Sequence, residues 1–395
     1  MSKELSNDWK AELFNLLQIQ SDHESGILEC AQYLCAFLRK INMDVILENG
    51  YSNPIIIAKT KNASKANILF YSHYDVKAAG DVNLWNTSPF IPQIIDGRIY
   101  CRGSGDAKGQ IFSLLKGIEK VIAQGLDENF GISILLEGGE ESGSFGLSET
   151  CSKYKEYLNS KLIILLDSHW ISETPLIGCG CRGQVSCLLT CREKEFSNFL
   201  HAGNYGGIYD GAAFKMVLAL NDFIKNNNIR AWFYNIEKPN NSSSSLTICG
   251  IKSGLMERST IPHEAVSHID MRLVDINESK LIEFIKNFFK EKQISVTVRQ
   301  AEPSFKSIQN ITYKKVIGDA ITEACKCPPT YVDYIGAYLP MNKLSSLSIP
   351  QFIVPLAQSD ENNHAPNENI LVSHIHYGVK IVNNICTKFR WFNVS

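Results

Sequence analysis

Four short apolar runs govern what this chain can fold into. ILFYS ends at Ser72, ISILL at Leu136, LIILL at Leu166 and FIVP at Pro355, and a titratable residue lies close behind each. Runs of that length and composition read as strands buried on both faces, which belong in a sheet covered by helices. Helical spacing of apolar residues over 8–18, 26–39 and 108–123 supplies the covering layer. The expected class is α/β with a mostly parallel sheet.

The pattern changes in the middle of the chain. A strand at 184–190, a helix at 212–225, strands at 244–251 and 265–274, a helix at 279–292 and a strand at 294–299 follow in the order βαββαβ. That is the split arrangement of a ferredoxin-like module. A length of 395 residues suits two domains. The expected division is 1–181 with 302–395 as one domain, interrupted by a smaller domain at 182–301.

Charge narrows the function classes. Lys and Arg number 39 against 41 Asp and Glu, a net charge of -2, so no overall field draws the chain to nucleic acid or an anionic membrane. Recognition must come from a local site. The start, MSKELSNDWK, lacks a leader pattern, and no run of about 18 apolar residues could span a bilayer. A cytoplasmic location is expected. The twelve cysteines lack zinc-finger spacing and read as buried thiols in a reducing compartment.

Two glycine-rich stretches imitate nucleotide sites. Residues 178–183, GCGCRG, match a dinucleotide fingerprint by letter, but strand-like QVSCLLT follows where a phosphate-binding helix should open. Residues 103–109, GSGDAKG, place Asp106 where phosphates would sit. Neither reads as a nucleotide site.

The polar residues beyond the strand ends are more informative. His73 and Asp75 follow one run, Glu140 and Glu141 another, Asp167 a third, and His364 lies beyond the last. Ligands of open α/β sheets bind outside the carboxyl ends of strands, so these side chains can converge on one crevice. So many acids together need a cation, and imidazoles with carboxylates suit zinc, manganese or cobalt. In an extended segment Asp75 faces the same way as His73 and can accept its second ring N–H. Of the adjacent glutamates, one can bind metal while the other takes a proton from water. Taken singly, each residue has a plainer explanation: a structural histidine, a turn-capping aspartate, a solvated glutamate pair, or, for Asp106, a helix N-cap. Independent caps have no reason to gather at one sheet edge.

At this point the order of motifs becomes specific. SHYDV at 72–76, WNTSPF at 85–90, DGRIYCRGSGDAKG at 96–109, LEGGEESGS at 136–144, LHAGNYGG at 200–207 and HAPNE at 364–368 cover nearly the whole chain. Together they resemble the dinuclear zinc peptidases that include carnosinase-type dipeptidases, aminoacylases, succinyl-diaminopimelate desuccinylase and glutamate carboxypeptidase, with the dipeptidases nearest in motif. The resemblance implies a catalytic domain of zinc-exopeptidase type and two divalent ions, zinc foremost, with manganese or cobalt as alternatives. It implies that His73 and Asp167 hold one ion, that Glu141 and His364 hold the other, and that Asp106 bridges them. Glu140 would be the general base acting on a metal-bridged water. The inserted domain would be a lid that forms a homodimer. His201 would then reach the neighbouring subunit's site, and Thr260 and Arg272 would grip a substrate carboxylate.

The family pattern is departed from in three places. Cys101 and Ala107 replace residues common there without removing a ligand. Gly336, Ala337 and Tyr338 stand where dipeptidase relatives carry Gly-Gly-Ser, so the substrate-binding loop at Gly336 and Tyr338 differs. The expected activity is hydrolysis of an amide in a dipeptide or short peptide with a free carboxylate. Deacylation of N-acyl amino acids, or of a pathway-specific amide, is the alternative. A noncatalytic binding protein is the third reading, disfavoured by the intact Glu140.

Overall fold

The computed structural model describes residues 4–49, 51–61, 66–125, 130–234, 243–256 and 258–392. Two compact units emerge: Met1–Gly180 with Ser307–Val332 and Pro340–Ser395, and Cys181–Lys306 with Asp333–Leu339.

The first unit is built on an eight-stranded sheet. Across it run Met43–Glu48, Ile55–Thr60, Gly131–Glu137, Ala66–His73, Leu162–Leu165, Gln351–Ile353, Leu176–Gly178 and Thr330–Val332. The central four are mutually parallel; on one flank Met43–Glu48 and Ile55–Thr60 add antiparallel pairings, and on the other Leu176–Gly178 runs antiparallel to Gln351–Ile353 and parallel to Thr330–Val332. Every residue of Gly131–Glu137 and Leu162–Leu165 is buried, as a strand covered on both faces requires. Helices Lys108–Ala123 and Val372–Phe392 contribute to that cover and cross closely at small residues. A Cβ on Gly117 would lie 2.7 Å from the Val382 side chain, and one on Gly378 2.7 Å from Ser113, so glycine sets the approach.

The second unit has a four-stranded antiparallel sheet in the order Ser245–Ser253, Glu264–Leu273, Gly183–Arg192, Ile294–Glu302. Helices Gly211–Lys225 and Glu278–Glu291 pack their buried residues with the sheet in one apolar cluster. Buried and half-buried residues alternate along Glu264–Leu273, the mark of a sheet with one packed face. The βαββαβ order is present, with an additional short helix at Asn227–Phe233. The segment Asp333–Leu339 also belongs to this unit, so Gly336 and Tyr338 lie here. No helix among the described residues is long and apolar enough to cross a membrane.

One core histidine makes stability depend on pH. His374 is buried beside Trp170, with ring centroids 4.2 Å apart, and its Nδ1–H donates to the Leu356 carbonyl at 2.9 Å. Burial pushes its pKa down to about 4, against about 6.5 for a free imidazole. Between those values the unfolded chain binds a proton that the native chain refuses. Stability is therefore lost as pH falls from about 6.5 to about 4, by up to about 3 kcal/mol. His374→Asn, which retains an N–H donor, should flatten this slope relative to the unaltered chain in urea unfolding at pH 7, 5 and 4. Parallel pH profiles would refute the assignment.

Candidate metal centre

Three parallel neighbours deliver the first ligands to one sheet edge. His73 closes Ala66–His73, Asp167 lies just past Leu162–Leu165, and Glu140 and Glu141 form the 3-10 turn after Gly131–Glu137. His73 Nε2 is 2.9 Å from Asp106 Oδ1 and 3.6 Å from Asp167 Oδ2. His364 Nε2 is 3.0 Å from Glu141 Oε1 and 3.2 Å from Asp106 Oδ2. The donor atoms of His73, Asp106 and Asp167 lie within 4.8 Å of one another, as do those of Asp106, Glu141 and His364. Asp106 thus serves two triads, turning one oxygen toward each imidazole.

Local structure explains these placements. Asp106 does not cap the helix that follows it: Ala107 occupies the N-cap, without a side-chain bond. Its carboxylate is left for the histidines. His364 has φ +58°, in the left-handed region that a non-glycine residue enters infrequently, and Asn362 and Asn367 in the same loop have φ +57° and +64°. Asn367 ties that loop down, accepting from the Asn86 N–H at 2.7 Å and donating to the Leu84 carbonyl at 3.1 Å.

Asp75 differs in detail from the expectation. The closest acceptor for His73 Nδ1 is the main-chain carbonyl of Asp75, at 3.1 Å, with Oδ1 at 3.4 Å. The Asp75 carboxylate instead accepts from the N–H groups of Glu140 at 3.2 Å and Glu141 at 2.9 Å. It therefore fixes the glutamate turn as well as standing near the ring. Lys77, absent from the sequence reading, donates to the Glu141 carbonyl at 2.6 Å and lies 3.1 Å from Glu141 Oε2.

Because a carbonyl can only accept, His73 carries its proton on Nδ1 and turns Nε2 toward two carboxylates. A lone pair facing carboxylates at these distances needs a proton or a cation between them. Burial opposes charge on His73, but Asp106, Asp75 and Asp167 outweigh it and hold its pKa well above the usual imidazole range. Burial likewise opposes charge on His364, yet Asp106 and Glu141 raise it to about 10. Asp106 shows the reverse: burial favours the neutral acid, while His364 and His73 hold it well below the carboxylate range. Burial, with repulsion from Asp106, lifts Asp167 to about 7, and burial lifts Glu140 well above its usual value. Asp106, between the two imidazoles, holds its charge, while Asp167 and Glu140 resist theirs. Two imidazoles and three carboxylates in this arrangement fit divalent ions such as zinc.

The remaining sequence candidates lie in the second unit. His201 is exposed on Leu200–His201, which pairs with Thr260–Ile261 so that His201 faces Thr260. Arg272 donates from Nε to Asp270 Oδ1 at 2.8 Å. Gly336 is held by Arg182, whose Nε and Nη2 donate to its carbonyl at 2.8 and 2.6 Å, and Tyr338 is half-buried. Arg182 sits inside the GCGCRG stretch, and the strand Gly183–Arg192 follows it in place of a phosphate-binding helix.

A family model described as peptidase family M20/M25/M40 matches residues 69–388. The chain belongs to this family. Its members are metal-dependent peptidases, which accords with the paired triads. A probable di- and tripeptidase of Saccharomyces cerevisiae is 25% identical over 88% of this chain, which spans 46% of that relative's length. A rat beta-Ala-His dipeptidase is 32% identical over 43% of the chain, covering 35% of its own length. The human beta-Ala-His dipeptidase is 25% identical over 92% of the chain and 82% of its own length. The chain thus spans less than half the length of the first two relatives. Among solved structures, an M20 metallo-carboxypeptidase of Sulfolobus solfataricus superposes with a TM-score of 0.83 at 20% identity, covering 98% of this chain and 100% of the other. Human carnosine dipeptidase 1 gives 0.78 at 21%, covering 98% and 96%. These likenesses show the fold, a mostly parallel α/β sheet domain carrying a smaller α/β unit.

Asp75→Ala would strand the N–H groups of Glu140 and Glu141. At about 1 to 3 kcal/mol for each of these two half-buried groups left unsatisfied, the metal-free chain should lose about 2 to 6 kcal/mol in urea unfolding. A loss under about 1 kcal/mol would show that Asp75 does not hold the turn.

Proposed function

We propose that this chain hydrolyses the amide bond of a dipeptide or short peptide bearing a free carboxylate. His73, Asp106 and Asp167 would hold one divalent ion and Asp106, Glu141 and His364 a second, with zinc the foremost candidate and manganese or cobalt able to substitute. The observation that carries this reading is the sharing of Asp106 between two triads with Glu140 on the adjoining turn. Ions held there would polarise the scissile carbonyl and make water more acidic. Glu140 belongs to neither triad, and its raised proton affinity suits a base that takes a proton from the attacking water and returns it to the leaving amine. Asp75 keeps that turn and the His73 ring in place. The similar di- and tripeptidase and the beta-Ala-His dipeptidases support a peptide substrate.

In the second unit, Asp270 occupies Nε of Arg272, leaving the Nη edge of the guanidinium as the fork for a substrate carboxylate, with Thr260 and the loop at Gly336 and Tyr338 completing the grip. A homodimer would place His201 in its partner's site. Phe214, Val217 and Leu218 are each about half exposed on the helix Gly211–Lys225, and Ser245–Ser253 is an edge strand, two features that suit pairing with a second copy. Buried thiols at Cys30, Cys35, Cys101, Cys151 and Cys386 suit a cytoplasmic location. Tyr338, in place of the serine of dipeptidase relatives, favours N-acyl amino acids as the second reading.

The zinc, manganese and cobalt forms should cleave members of a dipeptide panel. Cleavage confined to N-acyl amino acids would select the second reading, and no turnover with any metal would overturn both. Glu140→Gln should keep metal content near that of the unaltered chain and lose at least about a hundredfold in kcat. Unchanged turnover would remove Glu140 from the mechanism. In sedimentation the chain should run as a dimer that Phe214→Asp with Val217→Asp converts to a monomer; a monomeric unaltered chain would end the trans role of His201.

A further inference from the structure

We infer that Glu368 is a positioning residue that sets the place of Asp106 through the main chain, with Arg102 as its anchor. The inference rests on the metal reading above. Glu368 and Arg102 are both about 1% exposed, and Arg102 Nη1 donates to Glu368 Oε2 at 2.6 Å. The other oxygen, Oε1, accepts from the main-chain N–H groups of Gly105 at 3.0 Å and Asp106 at 3.1 Å. The Cys101 N–H donates to the Glu368 carbonyl at 3.1 Å, so the segment from Cys101 to Asp106 is fastened at both ends to one residue. Arg102 is fixed in turn, its guanidinium 5.2 Å from the Trp85 ring centroid and Nη2 donating to the Ala78 carbonyl at 3.4 Å. On the other side Gly105 abuts Glu361: a Cβ there would stand 2.1 Å from Glu361 Oε2, so the segment can pass only without a side chain. Glu361, His364 and Glu368 lie on one loop. That loop supplies His364 directly and holds Asp106 by its backbone, so it fixes two donors of the second triad relative to each other.

The test is zinc affinity, measured by competition with a chromophoric chelator on the full metal-free chain, at a temperature where circular dichroism shows each variant folded. Glu368→Ala should weaken zinc binding about 10- to 100-fold, the range for loss of a group that orients a ligand. Because that change leaves Arg102 buried without its carboxylate, two double variants remove the charge as well. Arg102→Met with Glu368→Gln keeps an acceptor for the Gly105 and Asp106 N–H groups. Arg102→Met with Glu368→Met does not, and should bind zinc at least about tenfold more weakly than the first. Equal zinc affinity in the two, whatever their unfolding temperatures, would overturn the positioning role and leave the metal reading standing. Failure of the unaltered chain to bind zinc would overturn that reading, and the inference with it.

Discussion

Repulsion among carboxylates is the constraint on which the rest of this structure depends. Asp75, Asp106, Glu140, Glu141 and Asp167 meet at one edge of the sheet, faced by two imidazoles and Lys77. The proton affinities record the strain: those of Glu140 and Asp167 are raised chiefly by burial, and those of His73 and His364 are raised by the carboxylates that face them. Such a cluster cannot form from flexible loops, because mobile acids would separate. It persists because parallel, fully buried strands fix its residues, and because Asp75 ties the glutamate turn back to the segment carrying His73.

The same constraint reaches below the site. Glu137, at the end of the strand feeding the Glu140 turn, is buried, accepts from Tyr71 and Ser144, and has its pKa raised by burial to about 7. A carboxyl group under a cluster of acids is tolerated because it can stay protonated when desolvated. Arg102 answers the problem differently, giving Glu368 a buried positive partner. One acid has its proton affinity raised by burial and the other pairs its charge.

Much of this was legible in the sequence. Apolar runs buried on both faces announce a parallel sheet, and a titratable residue beyond each run announces a shared edge, because strand direction brings the carboxyl ends together. What stayed hidden was carried by the main chain. Asp75 was read through its side chain toward His73, whereas its nearer contact with the ring is a carbonyl, and its carboxylate serves two amides just past the end of the neighbouring strand. Glu368 and Arg102 stand inside the quoted motifs HAPNE and CRGSGD, but residue type alone cannot show that a glutamate accepts backbone N–H groups far away in the chain. Helices Ile311–Cys325 and Val372–Phe392 carry apolar residues at helical spacing, yet that signal says nothing of the glycine contacts through which Val372–Phe392 meets its neighbour.

The candidate site residues divide between the two units. The five residues of the two triads and the adjoining Glu140 all belong to the first, while His201, Thr260, Arg272, Gly336 and Tyr338 all belong to the second. Gly336 and Tyr338 reach it although the chain on either side, to Val332 and from Pro340, is part of the first. Contacts that account for the capture include the Arg182 fork on the Gly336 carbonyl, the Tyr334 hydroxyl donating to Asp275 at 2.7 Å, and the Cys181 thiol donating to the Leu339 carbonyl at 3.2 Å. A planar guanidinium with two N–H groups on one carbonyl fixes direction as well as distance, which a lysine could not do. The Tyr338 loop is therefore positioned by the unit that carries Arg272, and none of residues 336–338 belongs to either triad.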